Sequence, residues 1–465
     1  MKKRITLIIS VSLIGILNLL LLMSAISNER ENNAAANYKE YCAGCHGAQL
    51  KSFVDRKWLY GNSWNEVFKA IKYGYPDDGM PAYDTTFTDH EIDNLVDFIL
   101  GGIEKLTSDD FEEKPDWIGF VESEELDFRL DTVVNGLGVP WGLAFLPDGD
   151  MLIAERSGKF SRYREGEALH PIKGVPEVLA KGQGGLMDVE VHPNFANNQW
   201  IYLSYSKPQG GNATTAIMRA RLQGDELVDQ KVIFEAQPYE STRHHYGSRL
   251  EFDKKGKLYF SVGDRGQRDR NPQKLDNHCG KIHRINEDGS IPKDNPFVNV
   301  RGAKSSIYSY GHRNPQGVAM HPQTGEIWET EHGPRGGDEV NIINKGQNYG
   351  WPVISYGINY NGTTFTDLTE KKGMEQPEYY WVPSIGACGL TFVNSDKYPN
   401  WNGDLLAGSL RFQYLARLKI EDNKVVGEEK LLKKIGRLRD VKMGNDGYIY
   451  FSVEDPGRVF RIVPR

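Results

Sequence analysis

The sequence predicts an all-β six-bladed β-propeller with a small all-α domain at its N-terminus. Two observations predict the propeller. An apolar strand, a polar turn and a second apolar strand recur six times between residues 131 and 465, and such internal repeats are typical of propellers. Glycine is abundant, at 49 of 465 residues, as expected for a chain rich in turns. A third observation, two helix-start patterns within residues 36–103, predicts the α domain.

The clearest repeat spans residues 243–266. Leu250 and Phe252 alternate with polar residues, and Leu258 and Phe260 do the same after the turn at Lys255-Gly256, which indicates a β-hairpin. We interpret each repeat as the inner hairpin of one blade. The six copies begin at Trp141, Gly185, Gly247, Asn314, Cys388 and Arg439. The segment near residues 126–134 is expected to complete the last blade and close the ring.

The first residues predict export. Three basic residues precede an apolar run over residues 5–26, as in a signal peptide. The run is also long enough to span a bilayer. Residues 1–28 are therefore either a cleaved signal or a retained anchor that tethers a periplasmic protein to the inner membrane. The net charge of −7 excludes recruitment by nucleic acid.

A c-type haem site follows. Cys42 and Cys45 with His46 form the C-x-x-C-H motif, in which two thiols bind the porphyrin and the histidine ligates the iron. Met80, the only methionine between this motif and residue 103, is the predicted sixth ligand. A thioether opposite histidine raises the haem potential and suits electron transfer.

Helices flank this haem motif. Capping boxes at residues 63–66 and 88–91 predict two helices, the second ending at Gly101-Gly102. Residues 36–103 therefore resemble a small class I cytochrome c domain. Residues 104–130 hold ten acidic and three basic residues and are predicted to be a linker to the propeller of residues 131–465. The two remaining cysteines, Cys279 and Cys388, could pair or be free; we favour free thiols.

Polar residues cluster at the expected ends of the inner hairpins, which should meet at one mouth of the central channel. They are Gln183, His244, His245, Asp264, Asn314, Glu331, His332, Arg411, Arg437 and Arg439. An imidazole base, hydrogen-bonding amides and three arginines at one mouth indicate a planar, polyanionic cofactor.

Several motifs follow one another in a fixed order over residues 131–465: GQGGLMDVEVHPNF, HHYGSRLEF, GDRG, GKIHRIN, DGSIPKDNPF, GHRNPQG, EHGP, DEVN, NYGWP and GRLRDV. With these motifs the chain resembles the pyrroloquinoline quinone (PQQ) dependent soluble glucose dehydrogenase family, and more closely its aldose sugar dehydrogenase branch.

This resemblance implies a role for each matching residue. His245 is the general base and Asp264 holds its imidazole. Gln183 and Asn314 face the quinone or the substrate, and the carbonyls of Gly333 and Pro334 bind Ca²⁺. Arg437 and Arg439 clamp the carboxylates of PQQ.

Three positions depart from the glucose enzymes. Arg411 replaces a lysine and keeps the charge, His332 replaces a glutamine beside the quinone, and His244 replaces an aspartate before the base. The last change puts glucose selectivity in question. Tyr379 and Trp381 are expected near the aromatic wall of the sugar pocket.

The expected function is the oxidation of an aldose sugar to its lactone with PQQ and Ca²⁺ as cofactors. A neutral imidazole would take the proton, and the fused haem c would receive the electrons and pass them to a downstream cytochrome or oxidase. Two alternatives stay open. The propeller could be a binding or adhesion module without PQQ, or a lactonase, although a lactonase would leave the arginine clamp unexplained.

Overall fold

The computed structural model describes residues 33–46, 50, 53, 58, 60–76, 79–105, 119–360, 363–454 and 456–465. The predicted signal or anchor at residues 1–28 lies outside them. Among the described residues, no helix is both long and apolar enough to cross a membrane. The contacts divide the chain into two compact units, a helical one toward the N-terminus and a β unit that contains residues 119–465.

Among its described residues, the helical unit contains a π-helical turn and three α-helices. The bounds are Tyr38–Cys42 for the π-helix, Ala43–His46 for α1, Trp64–Tyr73 for α2 and Asp89–Lys105 for α3. Both predicted capping boxes are present: Glu66 accepts hydrogen bonds from the backbone and hydroxyl of Ser63, and Glu91 does the same for Thr88. The apolar faces of α2 and α3 pack into one core around Ile71, Ile92 and Leu95.

The predicted end of the last helix is wrong, because α3 continues through Gly101 and Gly102 to Lys105. Neither glycine adopts the positive φ that would end a helix. Instead, a Cβ atom on Gly102 would lie 2.4 Å from a methyl carbon of Leu50. Gly102 therefore allows close packing rather than termination.

The β unit is a six-bladed propeller, which confirms the predicted fold. Blade 1 contains β3 (Pro140–Phe145), β4 (Met151–Glu155), β5 (Phe160–Tyr163) and β6 (His170–Pro171), and blade 2 contains β7 (Leu186–Val191), β8 (Trp200–Gln209), β9 (Asn212–Gln223) and β10 (Glu226–Glu235). A short helix, α4 (Phe195–Asn198), lies between β7 and β8. Blade 3 contains β11 (Leu250–Phe252), β12 (Lys257–Val262), β13 (Lys281–Asn286) and β14 (Ile307–Tyr310).

The other three blades have the same antiparallel order. Blade 4 contains β15 (Pro315–Met320), β16 (Ile327–Glu331), β17 (Asp338–Ile342) and β18 (Tyr379–Trp381), and blade 5 contains β19 (Ala387–Phe392), β20 (Leu405–Ser409), β21 (Leu415–Glu421) and β22 (Lys424–Leu431). Blade 6 contains β23 (Arg437–Met443), β24 (Ile449–Glu454) and β25 (Gly457–Pro464), joined by β2 (Phe128–Leu137) and β1 (Phe120–Val121). The first two strands of each blade coincide with one of the six repeats.

The ring is closed as predicted. β2 pairs with β25, so that Phe128 lies opposite Pro464 and Leu130 opposite Ile462. Residues 119–130, which the sequence assigned to the acidic linker, therefore contain a strand and the start of another. Part of their acidity is structural, because Glu125 lies 2.6 Å from the buried guanidinium of Arg417 in blade 5.

The six inner strands surround the channel, and each lies against the next around the ring. The hydrophobic clusters lie between neighbouring blades, as where Leu152 of β4 packs with Leu203 and Tyr205 of β8. The channel itself is polar. Arg249 is 2% exposed and its Nη1 lies 3.1 Å from Asp188 and 2.9 Å from Asp440, which connects three inner strands.

Both cysteines of the β unit are free and buried. The preference for free thiols over a disulfide is therefore confirmed. Burial raises the pKa of the Cys279 thiol to about 12, which keeps it protonated and unreactive.

Candidate functional site

The predicted polar residues of the β unit lie at one mouth of the channel. Because the first two strands of a blade run antiparallel, the start of an inner strand and the end of its partner reach the same rim. A cavity of about 480 Å³ opens there. It is lined by His244, His245, Asp264, Gly266, Gln267, Arg268, Asp269, Arg270, Lys274, Arg313, Pro334, Trp351, Asn359 and Tyr360.

His245 and Asp264 form a hydrogen-bonded pair at the base of this cavity. Nδ1 of His245 lies 2.6 Å from Oδ1 of Asp264. The carboxylate is 1% exposed and the imidazole 12%. Since Nδ1–H donates to the carboxylate, Nε2 is the ring nitrogen left with a lone pair to accept a proton.

The backbone holds His245 in a strained conformation. Its φ is +56°, which costs a non-glycine residue about 1–3 kcal/mol and is commonest at functional sites. Gln183 accepts a hydrogen bond from the amide of His245 at 2.8 Å. A Cβ atom on Gly263 would lie 2.3 Å from the carbonyl oxygen of His245, so only glycine fits there. Gln183 thus positions the histidine backbone.

Burial sets the protonation state of the pair. Desolvation and the nearby charge of Arg313 lower the pKa of His245 to about 4, so the ring is neutral at pH 7. Burial alone would raise the pKa of Asp264, but His245 and Arg313 together lower it to about 2. A neutral imidazole beside an ionised carboxylate is the arrangement that a general base requires.

Trp351 was not predicted to be part of this site. Its indole Nε1–H donates to Oδ2 of Asp264 at 2.8 Å, while the amide of Gly266 donates to Oδ1 at 2.7 Å. The carboxylate therefore accepts from three donors and cannot rotate. The NYGWP motif contains Trp351, but no spacing in the sequence connects it to a residue 87 positions earlier.

Arg437 and Arg439 share one carboxylate. Nε of Arg439 donates to Glu454 at 2.7 Å and Nε of Arg437 donates to the other oxygen at 3.2 Å. These arginines lower the pKa of Glu454 to about 2, against the effect of burial. Glu454 thus fixes the orientation of both guanidinium groups, and its role was not predicted.

Several buried nitrogens at this mouth have no hydrogen-bond partner among the described residues. They include Nδ1 of His244, Nδ2 of Asn314, Nε2 of His332 and Nε of Arg411. Buried polar groups in proteins are nearly always paired, so each needs a ligand or a water. With the two clamp arginines, they fit a planar cofactor that carries carbonyl, ring-nitrogen and carboxylate acceptors.

The carbonyls of Gly333 and Pro334 each accept one hydrogen bond. Nη1 of Arg313 donates to Gly333 at 2.8 Å, and the hydroxyl of Ser384 donates to Pro334 at 3.0 Å. A carbonyl oxygen has a second lone pair, so both remain available to a cation. Arg313 itself was missed, although it precedes Asn314 in the GHRNPQG motif.

Glu331 positions Arg313 and Asn314. Its Oε2 accepts hydrogen bonds from both backbone amides, at 2.5 Å and 3.3 Å, and its Oε1 lies 3.2 Å from Nδ1 of His312. Glu331, which was predicted to lie at the rim, is therefore buried and supports the residues that face the channel mouth.

The prediction of an aromatic wall from Tyr379 and Trp381 is wrong. Both lie in β18, the outermost strand of blade 4, where their polar atoms contact Glu428. The aromatic rings at the cavity are those of Trp351 and Tyr360. His244 does line the cavity, and burial lowers its pKa to about 3.

In the helical unit, His46 and Met80 both lie beside the core. The imidazole of His46 stacks on Phe53 with ring centroids 4.8 Å apart. Met80 is half-buried, and its backbone pairs with Tyr75 in both directions. The side chain of Cys45 lies outside the described residues.

The comparisons with known proteins agree with this geometry. The profile of the Glucose / Sorbosone dehydrogenase family matches residues 137–461, and that of Cytochrome C oxidase, cbb3-type, subunit III matches residues 29–99. The aldose sugar dehydrogenase YliI of Escherichia coli is 43% identical over 346 residues, which cover 72% of this chain and 93% of that protein.

Two solved structures are also similar. The soluble aldose sugar dehydrogenase of Escherichia coli in its apo form has a TM-score of 0.70 and 40% identity over 73% of this chain and 100% of that one. The PQQ-bound aldose sugar dehydrogenase of Streptomyces coelicolor has a TM-score of 0.61 and 25% identity over 73% and 98%. The chain therefore belongs to the Glucose / Sorbosone dehydrogenase family, and it carries an N-terminal cytochrome c domain in addition.

Proposed function

We propose that this protein oxidises an aldose sugar to its lactone with PQQ and Ca²⁺, and that the electrons pass to the fused haem and on to a respiratory acceptor. The observation that carries the proposal is the His245–Asp264 pair in a cavity beside unpaired buried donors and two fixed arginines. Relatives whose names specify aldose sugar dehydrogenase and PQQ support it.

His245 takes the proton of the C1 hydroxyl at Nε2. Burial keeps the ring neutral, and Asp264 stabilises the imidazolium that forms. Because Asp264 is held by Trp351 and Gly266, the ring cannot turn away from the cavity. Once the hydroxyl proton is on His245, C1 could give up its hydride to a bound quinone, which leaves a C=O bond at C1.

PQQ would be held by Arg437, Arg439 and Arg411 at its carboxylates and by Asn314 and His332 at its other acceptors. When bound, it supplies a quinone that accepts the hydride and later releases two electrons. Ca²⁺ on the oxygens of Gly333 and Pro334 would polarise the quinone carbonyl. Arg313 already places a positive charge at the Gly333 oxygen and would act in the same direction.

Cys42 and Cys45 would hold a haem covalently, with His46 and Met80 as its iron ligands, and this haem would supply a one-electron acceptor. Its fusion to the propeller keeps it at high local concentration. We also propose that the chain is exported and acts in the periplasm, either free or tethered through residues 5–26.

The first experiment uses purified protein with oxidised haem. PQQ, Ca²⁺ and an aldose are added in turn while the reduced c-haem band is monitored. Reduction that needs all three establishes the proposal. Reduction of an artificial dye without reduction of the haem would keep the dehydrogenase but remove the cytochrome from its path.

The variant His245→Ala should bind PQQ and leave the chemically reduced haem spectrum intact, yet lose sugar oxidation. Turnover at the wild-type rate would refute the role of His245. If the wild-type protein neither binds PQQ nor responds to any sugar, the propeller is better explained as a binding module.

A further inference from the structure

The outer part of the cavity is built by a single rigid loop. Residues 264–274 belong to the segment 263–280 that joins β12 to β13, and they supply half of the lining. Arg265 anchors the loop: it is fully buried, donates to the carbonyl of Thr242 at 2.6 Å and stacks 3.5 Å from the ring of Tyr246. Asn271 donates to the carbonyl of Asp264 at 3.0 Å. Side chains on this loop are therefore presented in fixed positions.

Arg268 projects from this loop and is held by uncharged groups. Nη1 donates to the amide oxygen of Asn359 at 2.8 Å, and the guanidinium lies 4.7 Å from the ring centre of Phe365. Its nearest carboxylate is Asp269, at 3.5 Å from Nε and 84% exposed. An exposed pair of that geometry contributes little free energy, so an anionic ligand can compete with Asp269 for the guanidinium of Arg268.

Lys274 adds a second cation. It is exposed, it lines the same cavity, and no ion pair joins it to an acid among the described residues. Arg270 differs, because it is paired with the largely buried Glu240. The histidines of the cavity are neutral at pH 7, and Asp264 is committed to His245. Arg313, the remaining cation of the lining, donates to the backbone carbonyls of His332 and Gly333, so Arg268 and Lys274 are the cations left for a ligand.

The proposed cofactor does not need these two charges. The arginines assigned to its carboxylates, Arg411, Arg437 and Arg439, are not part of this lining. A neutral sugar needs no cation either. A guanidinium pre-oriented by neutral partners instead matches a carboxylate or a phosphate, which it can bind through two parallel hydrogen bonds.

We propose that the sugar oxidised here carries an anionic group, a phosphate ester or a carboxylate, at the end remote from C1, and that Arg268 and Lys274 bind it. This inference rests on the proposed function, since His245 defines where C1 lies. It names a substrate class within the aldoses and two residues that determine specificity.

The test compares glucose, glucose 6-phosphate and glucuronate with the full-length protein reconstituted with PQQ and Ca²⁺. We expect kcat/KM for at least one anionic sugar to exceed that for glucose about tenfold at low salt, and the advantage to shrink as salt is added. The phosphate and carboxylate arms show which anion is preferred.

Arg268→Gln and Lys274→Gln should each lower the ratio of anionic to neutral kcat/KM about tenfold. The matched control is Lys255→Gln, an exposed lysine in the turn at the opposite end of the same blade, which should leave the ratio unchanged. Calorimetric titration of the protein before reconstitution with inorganic phosphate, glucose 6-phosphate and glucuronate gives a second readout that does not depend on turnover.

If an anion gives binding heat with the wild-type protein and none with Arg268→Gln, the anion site is supported. If no sugar is turned over as well, the proposed function fails while the anion site stands. The inference is overturned if glucose is oxidised as well as or better than the anionic sugars and wild type and Arg268→Gln do not differ in either assay.

Discussion

The replacement Asp264→Asn tests the general base by removing a charge while keeping the size of the side chain. In the wild-type protein three donors, from His245, Gly266 and Trp351, face two carboxylate oxygens. An asparagine has one oxygen and one NH₂ group, so in either orientation the NH₂ must face at least one N–H. The substitution therefore weakens the support of the imidazole whichever way the amide turns.

The size of the effect depends on that orientation. If the amide oxygen faces His245, the NH₂ faces Trp351, and the imidazole itself loses only the charge of its acceptor. A charge-assisted hydrogen bond contributes about 1.5–3 kcal/mol, which corresponds to a loss of about 10–150-fold in kcat/KM. If the NH₂ faces His245, Nδ1 must accept its hydrogen bond, so the neutral ring carries its hydrogen on Nε2. Nε2 can then no longer accept the substrate proton. The loss then approaches the whole contribution of a general base, about 10²–10⁴-fold.

The assay is steady-state sugar oxidation with an artificial acceptor between pH 3 and 8. Asp264 raises the pKa of His245 against the effect of burial, so its removal should move the acid limb of kcat/KM below the wild-type pKa of about 4. Asp229→Asn is the matched control, being the same change at a 59% exposed carboxylate on β10, the outermost strand of blade 2 and not part of the cavity lining. A loss of less than about threefold in Asp264→Asn, with the acid limb unmoved, would refute the reasoning.

Three further predictions concern stability and the haem. Arg249→Met leaves Asp188 and Asp440 buried without the guanidinium that pairs with them, and it should lower the free energy of unfolding, measured in urea, by about 3–5 kcal/mol. Arg221→Met, at a 42% exposed side chain, is the control and should lower it by less than about 1 kcal/mol. Equal losses in the two variants would contradict the argument. Burial lowers the pKa of His245 in the folded protein to about 4, so below about pH 6.5 the unfolded chain binds more protons than the folded one. The free energy of unfolding should therefore fall as the pH drops below about 6.5, by up to ~1.4 kcal/mol per pH unit for each such histidine. A urea midpoint that stays constant from pH 7 to pH 5 would contradict this prediction. Met80→Ala should lower the haem potential in a redox titration and slow electron exit without preventing PQQ reduction, whereas an unchanged potential would exclude Met80 as the axial ligand.

The fold was largely predictable because its signals are local. Each inner hairpin combines period-two alternation with a turn, and all six repeats became the first two strands of a blade. The haem motif and both capping boxes also lie within a few residues. The linker boundary failed where the signal was not local: residues 119–130 look polar, but their strands are specified by pairing with the C-terminal strand β25 and by ion pairs with blade 5.

The residues of the site also fall into those that local sequence patterns predicted and those that only the tertiary structure brings together. The sequence by itself placed His245 and Asp264 at the ends of one hairpin, where a turn fixes their proximity, and it placed the clamp arginines at the start of β23. Only the tertiary structure decided which distant groups complete the site. Trp351 reaches Asp264 across 87 residues, and Tyr379 and Trp381 lie on an outer strand despite their position in the chain. The physical reason is that alternation reports which face of a strand a residue occupies, whereas the ring closure of the six blades determines which rims meet at the channel mouth.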